Sequence, residues 1–109
     1  MWRCTSCGYI WQGDEAPDEC PKCGAQQSRF EEVDAKTADI IERARYTNSL
    51  QMNLYALLEQ IMALAEEGID DNLDAGCVRI FEQASDQAEI LQQSILAELQ
   101  GHVKKNKWG

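Results

Sequence analysis

Four cysteines set in two C-x2-C pairs, both prolines confined to the first 33 residues, and leucine-rich stripes of helical period beyond them divide this chain into two parts. They predict a small metal-stapled, β-rich module over residues 1–33 followed by a mainly α C-terminal helical hairpin over 34–109, two copies of which pair into a four-helix bundle. At 109 residues, there is room for one ordinary domain or for a very small module joined to a second element, so something besides a large core must stabilise the parts.

The first part answers that need with metal ligands. Cys4, Cys7, Cys20 and Cys23, in "CTSC" and "CPKC", offer four soft donors at a spacing suited to one tetrahedral zinc or iron ion. A C-x2-C turn lets two thiolates grip one ion from a tight knuckle. Gly8 and Gly24, one after each pair, let the backbone curl so that amides point at sulfur. About 30 residues cannot build a hydrophobic core without such a staple, and in a reducing compartment paired cysteines serve as metal ligands rather than disulfides. "WRC", "YIW" and "FEE" read as short strands, with Trp2, Tyr9, Trp11 and Phe30 closing an aromatic cluster beside the ion.

In the second part, helices are expected at about 35–67 and 72–105. On the first, Leu50, Leu54, Leu57, Ile61 and Leu64 step by four and three residues, with Leu58, Met62 and Ala65 widening the stripe, which reads as the core-facing side. Asp34 is the expected N-cap, and Gly68 followed by Ile69 the expected C-terminal cap. The second helix carries a stripe through Cys77, Phe81, Ala84, Ala88, Leu91, Ile95 and Leu99, and its direction agrees with Asp70, Asp71 and Asp74 at its start and Lys104, Lys105 and Lys107 at its end. A short connection makes the helices antiparallel neighbours. Their wide apolar faces exceed what one hairpin covers, so a homodimer is expected, against the alternative of a monomer whose hairpin packs on the module.

A formal net charge of −9 disfavours nucleic acid and anionic membranes as partners and favours a protein with a basic docking face. The N-terminus has no apolar leader and no run of about 18 apolar residues occurs, which reads as a cytoplasmic chain. Cys77 is expected to be a small buried residue, His102 to be solvated, and Tyr46 and Tyr55 to be core or rim aromatics.

The segment "WRCTSCGYIWQGDEAPDECPKCGAQQSRFEEV" resembles the rubredoxin-like domain of the rubrerythrin family at Trp2, Cys4, Cys7, Gly8, Tyr9, Ile10, Gly13, Ala16, Pro17, Cys20, Pro21, Cys23, Gly24 and Phe30. Stand-alone rubredoxins resemble it at both knuckles but have a longer stretch between them. The resemblance implies one iron ion cycling between Fe2+ and Fe3+, with zinc a possible occupant especially in recombinant protein. It therefore implies an electron-transfer protein that exchanges single electrons with a reductase or acceptor. The alternative is a structural zinc-ribbon adaptor with no redox role. Rubrerythrins also carry a di-iron bundle, which needs Glu-x-x-His motifs. His102, the single histidine, follows Leu99 by three positions, so no such motif exists and no enzyme activity is expected.

Overall fold

The computed structural model describes residues 1–109. Its elements run β1 (Trp2–Cys4), β2 (Ile10–Trp11), a 3-10 turn (Gln27–Arg29), β3 (Phe30–Glu32), α1 (Ala35–Asp71) and α2 (Ala75–Lys104). They fall into two compact units, one of Met1–Tyr46 with His102–Gly109 and one of Thr47–Gly101.

In the first unit, the three expected strands form an antiparallel sheet of order β2-β1-β3, with Trp2 opposite both Trp11 and Glu32, and Cys4 opposite Phe30. Strands this short cannot hold a sheet by themselves. They are held by a core of Cys4, Cys20 and Phe30 against which Trp2, Tyr9 and Trp11 pack, the aromatic cluster expected from the sequence. The unit is larger than the sheet, because the first turns of α1 and the last residues of the chain belong to it. Ile41 is fully buried, the Arg45 guanidinium donates to the Gly109 carbonyl at 2.7 Å, and Arg3 donates to the Asn106 side chain at 2.9 Å.

Both helices start on aspartate caps. Asp34 accepts from the Thr37 amide at 2.9 Å and Asp74 from the Cys77 amide at 2.8 Å, which satisfies donors that a helix N-terminus otherwise leaves open. The bond from the Thr37 amide holds the Asp34 carboxyl below its usual range, and that from the Cys77 amide does the same for Asp74.

The end of α1 departs from the expected cap. The helix continues past Gly68 to Asp71, and Asn72 at φ +49° takes the left-handed position that stops it, its amide donating to the Gly68 carbonyl at 3.2 Å. Gly68 is required for a different reason. A Cβ there would lie 2.3–2.5 Å from ring atoms of Phe81, so the missing side chain is what lets α2 approach.

In the second unit, α1 and α2 form the expected antiparallel hairpin, but of the expected α1 stripe only its widening residues Leu58, Met62 and Ala65 lie in the seam. Leu50, Leu54, Leu57, Ile61 and Leu64 are all exposed. The buried or half-buried residues are instead Asn48, Gln51, Tyr55, Leu58, Met62, Ala65 and Ile69, a seven-residue repeat one position later. Small and polar side chains let the helices close in, and the Gln92 amide uses the space by donating to the Tyr55 carbonyl at 3.2 Å and to Glu59 at 2.9 Å. Of the expected α2 stripe, Ala88 and Ile95 are buried, Leu99 packs against them and Leu91 points to solvent. Tyr55 packs at the rim of this cluster, Tyr46 is exposed and Cys77 is half-buried. His102, expected in solvent, is buried; in sequence it stands seven residues after Ile95, on the repeat through Phe81, Ala88 and Ile95. No helix is long and apolar enough to cross a membrane.

Two outcomes follow. Gly68→Ala must displace the Phe81 ring and should destabilise the chain by about 1–3 kcal/mol, whereas Gly101→Ala, whose Cβ meets nothing within 4 Å, should be neutral or stabilising by up to about 1 kcal/mol; thermal denaturation of both variants checks this. Because the cap carboxyls are depressed in the folded chain, their contribution is present above the unfolded carboxylate pKa, about 3.9, and is lost as pH falls through the lower folded value. Asp74→Asn keeps a capping oxygen and removes that titration, so acid unfolding followed by helical circular dichroism should be shallower in the variant.

Candidate metal centre

The two knuckles are copies of one turn. In each, the first cysteine's amide donates to the carbonyl five residues on, Cys4 to Tyr9 at 2.9 Å and Cys20 to Ala25 at 2.8 Å. In each, the glycine amide donates back to the first cysteine's carbonyl, Gly8 to Cys4 at 2.8 Å and Gly24 to Cys20 at 2.9 Å. Both glycines sit at positive φ, +80° and +74°, where any side chain would strain the backbone, so C-x2-C-G is the shortest sequence that makes the turn.

Local bonds then fix one knuckle against the other. The Arg29 carbonyl accepts from the Thr5 amide at 2.9 Å and hydroxyl at 2.8 Å, and the Arg29 side chain donates to Ser6 at 3.1 Å, tying the first knuckle to the 3-10 turn. The loop between the knuckles is closed by Trp11 donating to the Glu15 carbonyl at 3.0 Å and by Gln27 donating to the Ala16 carbonyl at 2.7 Å. Glu19 and Gln26 add a single antiparallel bridge flanking the second knuckle.

This framework brings all four sequence-predicted residues together. The sulfurs of Cys4, Cys7, Cys20 and Cys23 lie within 4.8 Å of one another, with Cys4–Cys23 and Cys7–Cys20 at 3.7 Å. A disulfide needs about 2.05 Å. A tetrahedron of sulfurs at about 2.3 Å from a central ion has edges of about 3.8 Å, which is the separation found across the knuckles. The donor set and its spacing fit one metal ion, and four thiolates fill its coordination shell.

Electrostatics point the same way. Burial opposes ionisation of the Cys4 thiol, but the Cys7 and Ser6 amides aimed at its sulfur outweigh that and hold its pKa below the ordinary value. At Cys20, burial is likewise outweighed, there by the Cys23 and Lys22 amides, and the pKa falls to about 7. At Cys23, the Ala25 amide pulls downward, yet burial and the neighbouring sulfurs of Cys7, Cys20 and Cys4 push the value up to about 12. Backbone dipoles thus outweigh burial at Cys4 and Cys20, whereas at Cys23 the Ala25 amide does not offset burial and the neighbouring sulfurs, a balance that a cation would reverse. The knuckles also differ in exposure along their length: Cys4 and Cys20 are buried, Cys7 is half-buried and Cys23 is exposed.

Beside the first knuckle, an open cleft of about 380 Å³ is lined by Arg3, Cys7, Gly8, Val103, Asn106 and Trp108. The arrival of Asn106 and Trp108 there was not legible in the sequence, whose basic tail carries no packing periodicity. A hint lay in Trp108 itself, a large apolar side chain outside any stripe.

Residues 2–31 match the family model for the rubredoxin-like domain of rubrerythrin. Over the same region the chain is 50% identical across 32 residues to reverse rubrerythrin-1 of Clostridium acetobutylicum, 52% across 31 residues to rubrerythrin of Clostridium perfringens, and 47% across 30 residues to rubrerythrin of Nitratidesulfovibrio vulgaris. These stretches are 28–29% of this chain and 16–18% of the relatives' own lengths. The remainder is helical and lies outside the matches. No solved structure matches the chain.

Since Cys23 holds its proton at neutral pH, metal loading must expel at least one proton per ion at pH 7. Calorimetric titration in two buffers of different ionisation enthalpy measures that number, and affinity should fall as pH is lowered because protons compete for the sulfurs. Cys20→Ser, which removes a buried ligand, should abolish stoichiometric binding and the tertiary signal of Trp2 and Trp11 while leaving most helical signal in place.

Proposed function

We propose that the N-terminal site holds one iron ion and that the chain is a single-electron carrier serving a redox partner protein. The observation that carries this reading is the closed four-sulfur shell in a segment matching a rubredoxin-like domain. Iron bound there supplies a one-electron couple between its ferric and ferrous states. The chain's residues provide the rest. Four thiolates would fill the shell of a four-coordinate ion and leave no position for a substrate, so the site would carry electrons without acting as a catalyst. The Cys7 and Ser6 amides aimed at the Cys4 sulfur, and the Cys23 and Lys22 amides aimed at the Cys20 sulfur, would offset part of the thiolate charge in either oxidation state.

The route out is set by exposure. Cys23 opens to solvent and Cys7 lines the cleft beside Trp108, so a docked partner reaches the ion through these two sulfurs while Cys4 and Cys20 stay in the core. With a net charge of −9, the docking partner is one with a basic face. A reducing cytoplasm keeps the ligands as thiols until metal arrives.

The test is the metal content and visible spectrum of protein isolated from its native host under anaerobic conditions. One iron per chain, with a thiolate-to-iron charge-transfer band that bleaches on reduction and returns on oxidation, supports the proposal. One zinc per chain with no redox response replaces it with the structural zinc-ribbon adaptor, for which the same four sulfurs are equally good ligands.

A further inference from the structure

We propose that the exposed leucine face of the hairpin is a homodimer interface, and that a second copy of this chain completes a four-helix bundle about a two-fold axis near Leu57. The occupant is identified by what the hairpin leaves unburied. Within Thr47–Gly101, the buried side chains are Leu58, Ala65, Ala88 and Ile95 with the polar Asn48 and Gln92 among them, and Gln51 keeps a buried oxygen without a partner. That is a thin core for two helices of this length. More large aliphatic side chains of the hairpin lie exposed than buried.

Most of the exposed ones are not scattered, although Met52, Leu73, Ile90 and Leu96 lie elsewhere. Leu50, Leu54, Leu57, Ile61 and Leu64 each stand one residue before a seam residue of α1, namely Gln51, Tyr55, Leu58, Met62 and Ala65, and Ile80 and Leu91 stand one residue before Phe81 and Gln92 of α2. One residue is a rotation of about 100°. In an antiparallel pair, an equal rotation from the shared seam turns both helices to the same flank, so these side chains form one continuous face. The residues one position after the seam form the opposite flank, and there Glu59, Glu66, Glu82, Asp86 and Glu89 are exposed. The first flank is mainly aliphatic, whereas the second carries these five carboxylates with only Met52 and Leu96 as large exposed apolar side chains among them. Like charge keeps two copies from meeting through the acidic flank, which leaves one face for association.

Composition marks the same face. In a chain with 27% charged residues, the thirteen from Tyr46 to Leu58 include none. The α1 stripe is also close to palindromic about Leu57: Leu50 and Leu64 lie seven residues to either side, and Leu54 and Ile61 three before and four after. An isologous interface requires that symmetry, since each residue i that meets j must be met by j in return. Across the two-fold, Leu57 faces its own copy, Leu54 faces Ile61 and Leu50 faces Leu64.

The area is sufficient. With 40–66% of each of the seven side chains open, the face offers on the order of 600 Å² per protomer and about 1,200 Å² across the pair, the lower edge of the range for specific interfaces.

Sedimentation equilibrium of the full metal-loaded chain tests the association. The wild type should be a dimer at micromolar concentration, Leu57→Asp should weaken it by about 30-fold or more with its helical signal retained, and Met52→Lys should leave it unchanged. Met52 is exposed on the opposite flank. In a metal-loaded Cys77→Ser background, Leu57→Cys should oxidise to a self-linked dimer while Leu50→Cys and Leu64→Cys do so only when mixed with each other. A monomeric wild type at 100-fold higher concentration, or a dimer indifferent to Leu57→Asp, or self-linking at positions 50 and 64 overturns the proposal. Because the readouts are mass and cross-linking, a zinc-loaded chain gives the same answer as an iron-loaded one, and failure here leaves the electron-transfer reading untouched.

Discussion

Mutual repulsion among four sulfurs is the constraint around which the first unit is arranged. Brought within 4.8 Å of one another, Cys4, Cys7, Cys20 and Cys23 cannot all be thiolates unless positive charge lies between them, and the rise of the Cys23 pKa to about 12 expresses that cost. A metal ion converts the repulsion into attraction, and the energy so gained replaces the hydrophobic core that about 30 residues cannot supply. Two- and three-residue strands, a loop closed by single side-chain bonds, and aromatic rings packed on buried sulfur are intelligible only as attachments to a bound ion.

The helical part solves a different problem with the opposite means. Its intramolecular seam is built from residues that allow close approach. Gly68 admits the Phe81 ring, and the polar Asn48 and Gln92 occupy buried positions. The aliphatic bulk sits one residue out of phase, on the face assigned to a second copy. The first unit is thus built around a four-sulfur ligand set, and the second, under the dimer proposal, would be completed by a second copy.

The site was legible in the sequence because its determinants are local. Two C-x2-C-G segments specify two turns, and the turns specify where amides and sulfurs point, whatever the rest of the chain does. Phase in the helices was less legible. Counting apolar residues centres the inner stripe on Leu50, Leu54, Leu57, Ile61 and Leu64, with Leu58, Met62 and Ala65 only at its edge, but the seam is decided by which residues let another helix come near, and Gly68 and Asn48 register weakly in such a count. The cap at Gly68 failed for a similar reason. Its glycine answers to a ring thirteen residues further on, while Asn72, also tolerant of the left-handed region, ends the helix. His102 carried a usable signal, since extending the seven-residue repeat from Phe81 through Ala88 and Ile95 lands on it.

One ion engaging all four N-terminal sulfurs in the folded chain would shield every one of them from reagents. Counting thiols open to a small alkylating reagent in the native metal-loaded protein, with mass spectrometry to assign them, tests this most directly. The account predicts that Cys77 alone reacts before denaturation, and that all five react once the ion is stripped under denaturing conditions. Rapid native labelling of Cys4, Cys7, Cys20 and Cys23 with the sheet still ordered would contradict it.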